Sequence, residues 1–305
     1  MQERIRADNL CKRYGSLTAL DRASLVAYPG ECLGIFGLSG AGKSALLRIL
    51  AGLESPDSGT VSSPDPRAGI SFQIPSIEES LTPAEVLWLY ATLYDIPRRK
   101  RRAAAREMLA LVGMDSERDR RIGTLAGGAG KVLEVARALL SPSDLLFLDE
   151  PMAGLDPDMR SRLWEYVLKA RTQGERTVVI ATARSEDAEL CDRIVLLHEG
   201  RVLADGTIAQ LRSMVGPEAL VITPTAKGRR LPKAGWAGIV GREQDGSLVI
   251  EMGAESRPTE LLRQISGDVA AVRIKPRGLD SILKELVAQP ELLAPPTERM
   301  KKCPC

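Results

Sequence analysis

Histidine is almost absent from this sequence, which contains a single histidine, His198, in 305 residues. One imidazole excludes metal sites built from several histidines, and it argues against catalysis by a Ser-His-Asp triad. Cysteine is also sparse, since five cysteines are scattered along the chain and their number is odd. This usage favours reduced thiols in a cytosolic protein over a framework of disulfide bonds.

Charge of one sign and long apolar runs are lacking as well. The formal net charge is +2, so the composition gives no electrostatic argument for binding nucleic acid. Apolar stretches such as residues 86–94 fall far short of the ~18 residues of a membrane span, and the polar first residues do not resemble a signal peptide. Apolar residues nevertheless make up 44% of the chain, which is enough for one large domain and a smaller one.

A glycine-rich turn at residues 37–44 is the most informative motif that the sequence does contain. An apolar run precedes the turn and an apolar pattern with helical spacing follows it, which predicts a buried strand, a loop and a helix. The residues GLSGAGKS fit G-x-x-x-x-G-K-[ST], with Gly37, Gly42, Lys43 and Ser44 at the fixed positions. Backbone N–H groups of such a turn surround phosphate oxygens, the lysine reaches the β- and γ-phosphates, and the hydroxyl ligates Mg²⁺. We therefore predict that the chain binds a nucleoside triphosphate.

A second motif, DLLFLDE at residues 144–150, places two acids at the end of an apolar run. The run predicts a buried central strand that ends at Asp149 and Glu150. Asp149 can orient Mg²⁺ or its bound water, and Glu150 can polarise a water molecule near the γ-phosphate. The two motifs together predict hydrolysis of the bound nucleotide.

The order of the predicted elements indicates an α/β fold. Antiparallel strands are expected within residues 5–26, and residues 54–66, which are rich in Ser, Pro, Gly and Asp, are expected to form a loop. Strands then alternate with helices, which is typical of a mostly parallel sheet with helices on both faces. The predicted strands are residues 69–73, 144–149, 177–183, 193–197 and 201–204, and the predicted helices are residues 82–94, 98–112, 131–140, 157–170 and 186–190.

The character of the sequence changes near residue 214. We predict a nucleotide-binding domain in residues 1–213 and a small accessory C-terminal domain, β-rich and α+β, in residues 214–289. Its predicted strands are residues 219–222, 238–240, 247–251 and 269–275, followed by a helix at residues 279–287. Residues 290–305 are predicted to be a disordered tail.

Residues 4–212 resemble the ATP-binding subunits of ABC transporters, because motifs of that family occur in the family's order. GLSGAGKS matches the Walker A motif, DLLFLDE the Walker B motif with its catalytic glutamate, and AGLDP at residues 153–157 the D-loop. LAGGAGKVLEVARALL, from residue 125, lines up with the signature segment LSGGQ and its helix. The accessory domain is similar to the C-terminal extension of bacterial drug- and polysaccharide-export cassettes.

The resemblance implies a P-loop NTPase cassette with a parallel-sheet core, an antiparallel β subdomain and a helical subdomain. It also implies that Tyr14 stacks on adenine and that Gln73, in the Q-loop, senses the γ-phosphate. The predicted nucleotide-binding residues are Tyr14, Gly37, Leu38, Ser39, Gly40, Ala41, Gly42, Lys43, Ser44, Ala45, Gly127 and Gly128. The predicted catalytic residues are Lys43, Gln73 and Glu150, and the predicted Mg²⁺ ligands are Ser44, Gln73 and Asp149.

Three positions depart from the family pattern. Ala126 replaces the signature serine, Ala129 replaces the signature glutamine, and Ala183 replaces the switch histidine. His198 cannot substitute for that histidine, because it lies on the next predicted hairpin. We therefore predict slow hydrolysis, with binding of ATP less affected because the P-loop is intact. Arg184 either supplies a positive charge beside Ala183 or faces solvent.

The function expected from the resemblance is that of the ATP-binding subunit of an ABC exporter, driven by ATP-dependent dimerisation of two cassettes. The alternative is a regulatory cassette that does not hydrolyse ATP and pairs with an active one. The expected partners are a transmembrane permease and a second cassette, identical or different, at the inner face of the cell membrane. The basic run at residues 98–106 is either a solvated face or a contact for anionic lipid headgroups.

Overall fold

The computed structural model describes residues 3–62, 65–125, 127–174, 176–224, 239–242, 247–252 and 269–293. The chain forms two compact units, Met1–Asp205 and Gly206–Cys305. The domain boundary expected after residue 213 stays a prediction. No helix within the described residues is both long enough and apolar enough to cross a membrane.

The core of the first unit is a mostly parallel sheet, as the sequence predicts. In the part of the chain that the structure describes, six strands form it in the order β5-β6-β7-β3-β8-β9, and the neighbours from β5 to β8 run parallel. The strands are β3 (Cys32–Phe36), β5 (Gly69–Ser71), β6 (Leu145–Asp149), β7 (Thr177–Thr182), β8 (Arg193–His198) and β9 (Arg201–Gly206). Strands buried on both faces need a continuous apolar sequence, and β3, β6 and β7 have one.

Helices and a second sheet cover the two faces of this core. Along β6, Leu145 and Phe147 belong to one apolar cluster while Leu146 and Leu148 belong to the other. Successive side chains of a strand point to opposite faces, so β6 stabilises both layers. The helices of the first unit are α1 (Lys43–Leu50), α2 (Pro83–Leu93), α3 (Arg98–Leu111), α4 (Ala129–Leu139), α5 (Pro157–Gly174) and α6 (Ser185–Ala188).

The second sheet of the first unit is antiparallel and includes a strand that the sequence did not predict. The predicted pair is present as β1 (Ile5–Tyr14) and β2 (Leu17–Ala27), and β4 (Ser58–Ser62) pairs with the other edge of β1. The prediction of a loop throughout residues 54–66 is therefore wrong. A side chain at Gly59 would place its Cβ 2.5 Å from the Asn9 carbonyl oxygen, so glycine allows this close backbone pairing. Because β4 is mostly exposed, it carries no apolar alternation that would identify it.

The basic run lies at the start of α3. Arg98, Arg99, Lys100 and Arg102 are exposed, whereas Arg101 donates from its Nε to the carbonyl oxygen of Ile96. Exposed arginines fit both a solvated face and a contact with anionic headgroups, so both interpretations of the run stay open.

The second unit contains a small antiparallel sheet with the strand order β11-β12-β10-β13. Its strands are β10 (Ala219–Pro224), β11 (Ile239–Arg242), β12 (Leu248–Glu251) and β13 (Val269–Lys275), and its helices are α7 (Ile208–Val215) and α8 (Leu279–Ala288). The sequence did not predict α7, which begins in a capping box between Thr207 and Gln210. The prediction of a disordered tail is wrong for Pro290–Leu293, which form a 3-10 turn that buries Leu292. The rest of the predicted tail, residues 294–305, lies outside the described residues.

Candidate nucleotide-binding site

The glycine-rich turn joins β3 to α1, which is the strand–loop–helix context that the motif requires. Two positions of the turn have room for glycine and for no other residue. A Cβ at Gly37 would lie 2.3 Å from the carbonyl oxygen of Leu197, and a Cβ at Gly42 would lie 2.3 Å from the carbonyl oxygen of Ala19. Gly42 also has a φ of 102°, in the left-handed region, immediately before α1. No side chain caps α1, so the first N–H groups of this helix remain available to an anion.

Lys43 is the buried cation at the centre of this turn. Its Nζ donates to the carbonyl oxygens of Gly37, at 2.9 Å, and Leu38, at 3.2 Å. The same nitrogen lies 3.4 Å from Oε1 of Glu150, which brings the two sequence motifs into direct contact. The lysine is thus placed to offer a positive charge to an anion bound at the N-terminus of α1.

Asp149 ends β6 and its carboxyl group is almost fully buried. Burial raises the pKa of the Asp149 carboxyl group, while the neighbouring Ser44 hydroxyl lowers it. Its Oδ1 has no hydrogen-bond partner among the described residues. A carboxylate oxygen without a protein partner, next to a hydroxyl, matches the hard oxygen ligands that Mg²⁺ prefers. Ser44 and Asp149 therefore fit a Mg²⁺ ion.

Glu150 follows Asp149 in a backbone conformation that is rare for a side chain of its size. Its φ is 45°, and its N–H donates to the carbonyl oxygen of Ala181 at 2.8 Å. Burial raises the pKa of Glu150, whereas Lys43 and the nearby backbone of Ala183 lower it. The carboxylate is thus held between the turn and the end of β7, where it can accept a proton.

Gln73 lies just beyond β5, and only its backbone is held at the site. Its carbonyl oxygen accepts a hydrogen bond from Lys131 Nζ at 3.1 Å, and the same nitrogen donates to the Asp149 carbonyl oxygen at 3.0 Å. The Gln73 side chain is exposed and forms no hydrogen bond to another described residue. The structure therefore brings together Lys43, Ser44, Asp149 and Glu150, but not the Gln73 amide.

Tyr14, at the end of β1, is fixed by contacts that the sequence did not predict. Its hydroxyl donates to Oε2 of Glu54 at 2.6 Å, and the ring is 40% exposed. Glu54 also pairs with Lys12 at 3.1 Å and with Arg48 of α1 at 3.5 Å. The exposed ring has a defined orientation and presents a face for stacking. No pattern in the sequence marks Glu54, because it follows α1 within a run of turn-forming residues.

The glycines of the signature segment lie at the start of α4. Gly128 has a φ of 94°, and no side chain caps the helix, so its first N–H groups remain available to an anion, as at α1. Ala126 lies outside the described residues, and Ala129 is buried. The Arg184 guanidinium forms ion pairs with two acids of α6, Glu186 at 3.5 Å and Asp187 at 3.6 Å.

Comparisons with known proteins identify relatives of this chain. The family model described as "ABC transporter" matches residues 20–153. The chain is 34% identical to the Nod factor export ATP-binding protein I of Paraburkholderia xenovorans, over 72% of this chain and 76% of that protein. It is 36% identical to the daunorubicin/doxorubicin resistance ATP-binding protein DrrA of Streptomyces peucetius, over 71% of this chain and 69% of that protein.

The fold of the chain is similar to that of solved ATP-binding cassettes. A dimeric structure of the ATP-binding cassette MJ0796, in a post-hydrolysis state bound to ADP and Pi, matches with a TM-score of 0.62 at 26% identity. The match covers 67% of this chain and 98% of that one. A nucleotide-free ATP-binding cassette from an ABC transporter matches with a TM-score of 0.58 at 26% identity, over 68% of this chain and 92% of that one.

Proposed function

The chain belongs to the family of ABC transporter ATP-binding subunits, and from this membership we propose that it energises an exporter by binding ATP and hydrolysing it slowly. Members of this family bind ATP with Mg²⁺ and work with a transmembrane permease. Two similar proteins are named for Nod factor export and for daunorubicin/doxorubicin resistance, which supports export as the direction of transport.

The observation that carries the proposal is the convergence of two distant sequence motifs on one site. The Lys43 amine and the Glu150 carboxylate lie 3.4 Å apart, and the Ser44 hydroxyl is close enough to Asp149 to lower its pKa. Lys43 and the N–H groups of the turn bind the phosphates in this proposal, with Leu38, Ser39, Gly40 and Ala45 contributing backbone N–H groups. The N–H of Ala41, also predicted to bind the nucleotide, instead donates to the carbonyl oxygen of Leu38 at 3.1 Å. Ser44 and Asp149 hold Mg²⁺, which neutralises phosphate charge when it is bound.

Glu150 is the general base in this proposal. Its carboxylate is enclosed, so a water molecule held beside it would be shielded from bulk solvent and oriented for attack. Gln73 would complete the site through a movement of its side chain, since its backbone is already fixed beside Asp149 through Lys131. These roles account for the cluster of charged groups at the ends of β3 and β6.

Two cassettes are proposed to meet head to tail, so that Gly127 and Gly128 of one chain face the nucleotide of the other. The signature hydroxyl and the switch imidazole are missing from this chain, because Ala126 and Ala183 occupy those positions. In a homodimer both sites would lack both groups. With an intact second cassette, one site would lack the imidazole and the other the hydroxyl. Loss of one such donor typically costs on the order of 10²–10³ in rate, which supports slow hydrolysis.

A transmembrane permease is the second proposed partner, and it would hold the chain at the inner face of the cell membrane. Exposed apolar side chains support this assignment: Ile74, next to Gln73, is 80% exposed, and Leu93 of α2 is 63% exposed. Trp88 and Leu89 of α2 are also exposed. Large apolar side chains grouped on a surface indicate a protein contact.

The experiment that tests the proposal is an ATPase and binding assay on the purified chain. We expect Mg²⁺-dependent binding of ATP with a turnover well below that of an ordinary cassette, and association with a membrane protein when the chain is isolated from cells. A turnover equal to that of an ordinary cassette would refute slow hydrolysis. Failure to bind ATP with Mg²⁺ present would refute the function itself.

A regulatory cassette that binds ATP without hydrolysing it is the second candidate, and the two alanines favour it. The position of Glu150 beside Lys43 favours hydrolysis instead. Measured turnover separates the two candidates, because the regulatory cassette would release no phosphate above the level of a variant without Glu150.

Replacing Tyr14 with alanine tests the proposed contact with adenine. Stacking of a base on an aromatic ring is worth about 1–3 kcal/mol, so we expect Tyr14→Ala to weaken binding of a ribose-labelled fluorescent ATP analogue by about 10-fold. The matched control is Tyr14→Phe, which keeps the ring and loses only the hydrogen bond to Glu54. Equal affinities for the alanine variant and the parent would show that the ring does not contact the base.

A further inference from the structure

Three charged residues of α4 are buried in the interior of the first unit. Lys131 and Arg137 are each 5% exposed and Glu134 is fully buried, and they follow one another at intervals of three residues. Buried charges destabilise a fold unless hydrogen bonds satisfy them, so their partners indicate what they do. The proposed nucleotide chemistry assigns no role to any of the three.

Lys131 joins two segments of the candidate site. Its Nζ donates to the carbonyl oxygens of Phe72 at 2.8 Å, Gln73 at 3.1 Å and Asp149 at 3.0 Å. An ammonium group has three N–H donors, so this set matches its full capacity. All three acceptors are backbone carbonyl oxygens, two in the loop after β5 and one at the end of β6. The amine therefore holds the loop after β5 against the end of β6.

Glu134 and Arg137 hold the same loop from the other side. The Glu134 carboxylate accepts the N–H groups of Phe72, at 3.0 Å, and Ser76, at 3.4 Å. Arg137 bonds to Glu134 and to the Tyr90 hydroxyl, and its guanidinium lies 5.3 Å from the centre of the Phe72 ring. Side chains of α4 thus bind both N–H and carbonyl groups of the backbone at residues 72–76.

We propose that Lys131 is a positioning residue for Mg²⁺, because it holds the backbone of Gln73 and of Asp149 at one fixed separation. The Asp149 carboxylate and the Gln73 side chain extend from backbone atoms that this single amine connects, so a movement of the exposed Gln73 side chain alone would bring both groups to the same ion. The inference rests on the proposed function, since it concerns the metal of that site. It assigns a role in the site to a residue of α4 that has no place in the Walker or Q-loop motifs.

The test is the Mg²⁺ concentration at which binding of a fluorescent ATP analogue is half-maximal. Lys131→Met keeps the length of the side chain and removes every N–H donor, and we expect it to raise this concentration by at least about 10-fold, as loss of outer-shell partners of metal sites does. Binding of the analogue in EDTA should be unchanged, because the P-loop is untouched. The matched control, Lys169→Met, removes an exposed lysine of α5 and should behave as the parent.

A purely structural role would lower the melting temperature of Lys131→Met and leave the Mg²⁺ dependence unchanged, and that result would overturn the proposal. If Lys131→Met does not fold, Lys131→Arg, which keeps the charge on a longer side chain, is measured instead. We expect Lys131→Arg to raise the Mg²⁺ concentration for half-maximal binding by a smaller factor than the methionine variant. An unchanged Mg²⁺ concentration in folded Lys131→Arg would also overturn the proposal. If the parent chain shows no Mg²⁺-dependent binding, the proposed function fails rather than this inference.

Discussion

Replacing Ala183 with histidine is expected to raise the ATP turnover of the chain by up to about 10²-fold, which is the low end of what one lost transition-state donor costs. Ala183 follows β7 directly, and its backbone is close enough to the Glu150 carboxylate to lower the pKa of that group. A side chain at this position therefore starts next to the proposed base. An imidazole there would add a donor for the charge that develops on the γ-phosphate.

Phosphate release by the purified variant measures the effect, with Arg184→His as the matched control. Residue 184 is the next position, but its side chain pairs with Glu186 and Asp187 of α6. The same imidazole there should leave turnover unchanged. If Ala183→His hydrolyses ATP no faster than the parent, the missing histidine is not what limits hydrolysis. Adding Ala126→Ser should raise the rate further in a homodimer, because each site would regain a hydroxyl.

Glu150→Gln is expected to lower turnover by on the order of 10²–10⁴, the usual contribution of a general base, while ATP remains bound. The amide has the size of the carboxylate but cannot accept the proton of the attacking water. The change is best made in the Ala183→His chain, where a higher starting rate makes the loss measurable. ATP-bound dimers should accumulate, which size-exclusion chromatography detects.

Glu186→Gln is the control for this substitution, since it neutralises an exposed acid on α6 at the same edge of the sheet. Its turnover should equal that of the Ala183→His parent. Turnover that survives in Glu150→Gln would mean that another group accepts the proton, and the assignment of the base would be wrong. Loss of ATP binding in the same variant would show instead that the contact with Lys43 maintains the turn.

The α/β fold was predictable because its determinants are local in the sequence. The nearly continuous apolar runs of β3, β6 and β7 identify buried parallel strands, and Thr82 forms the capping box with Glu85 at the predicted start of α2. The strand β4 was not predictable, because its position depends on backbone pairing with β1 rather than on apolar side chains. Gly59, the second residue of β4, indicates a turn when the sequence is considered alone.

The candidate site was predictable only where a motif fixes the spacing of its residues. Lys43 and Glu150 were identified from separate motifs, and the fold places them in contact. Glu54, Lys131 and Glu134 were not identified, because acids and lysines on helices and turns usually face solvent. Their burial depends on which segments pack against α1 and α4, and that information is tertiary.

The left-handed backbone of Glu150 carries an evolutionary consequence. A residue with a Cβ pays about 1–2 kcal/mol to adopt this conformation, and glycine avoids most of that cost. A lineage that had abandoned catalysis could therefore gain thermal robustness from a single codon change to glycine at this position. The chain instead retains a strained acid whose burial is also unfavourable. A cassette that only binds ATP would gain stability from glycine at this position, so the retained acid supports the proposed hydrolysis.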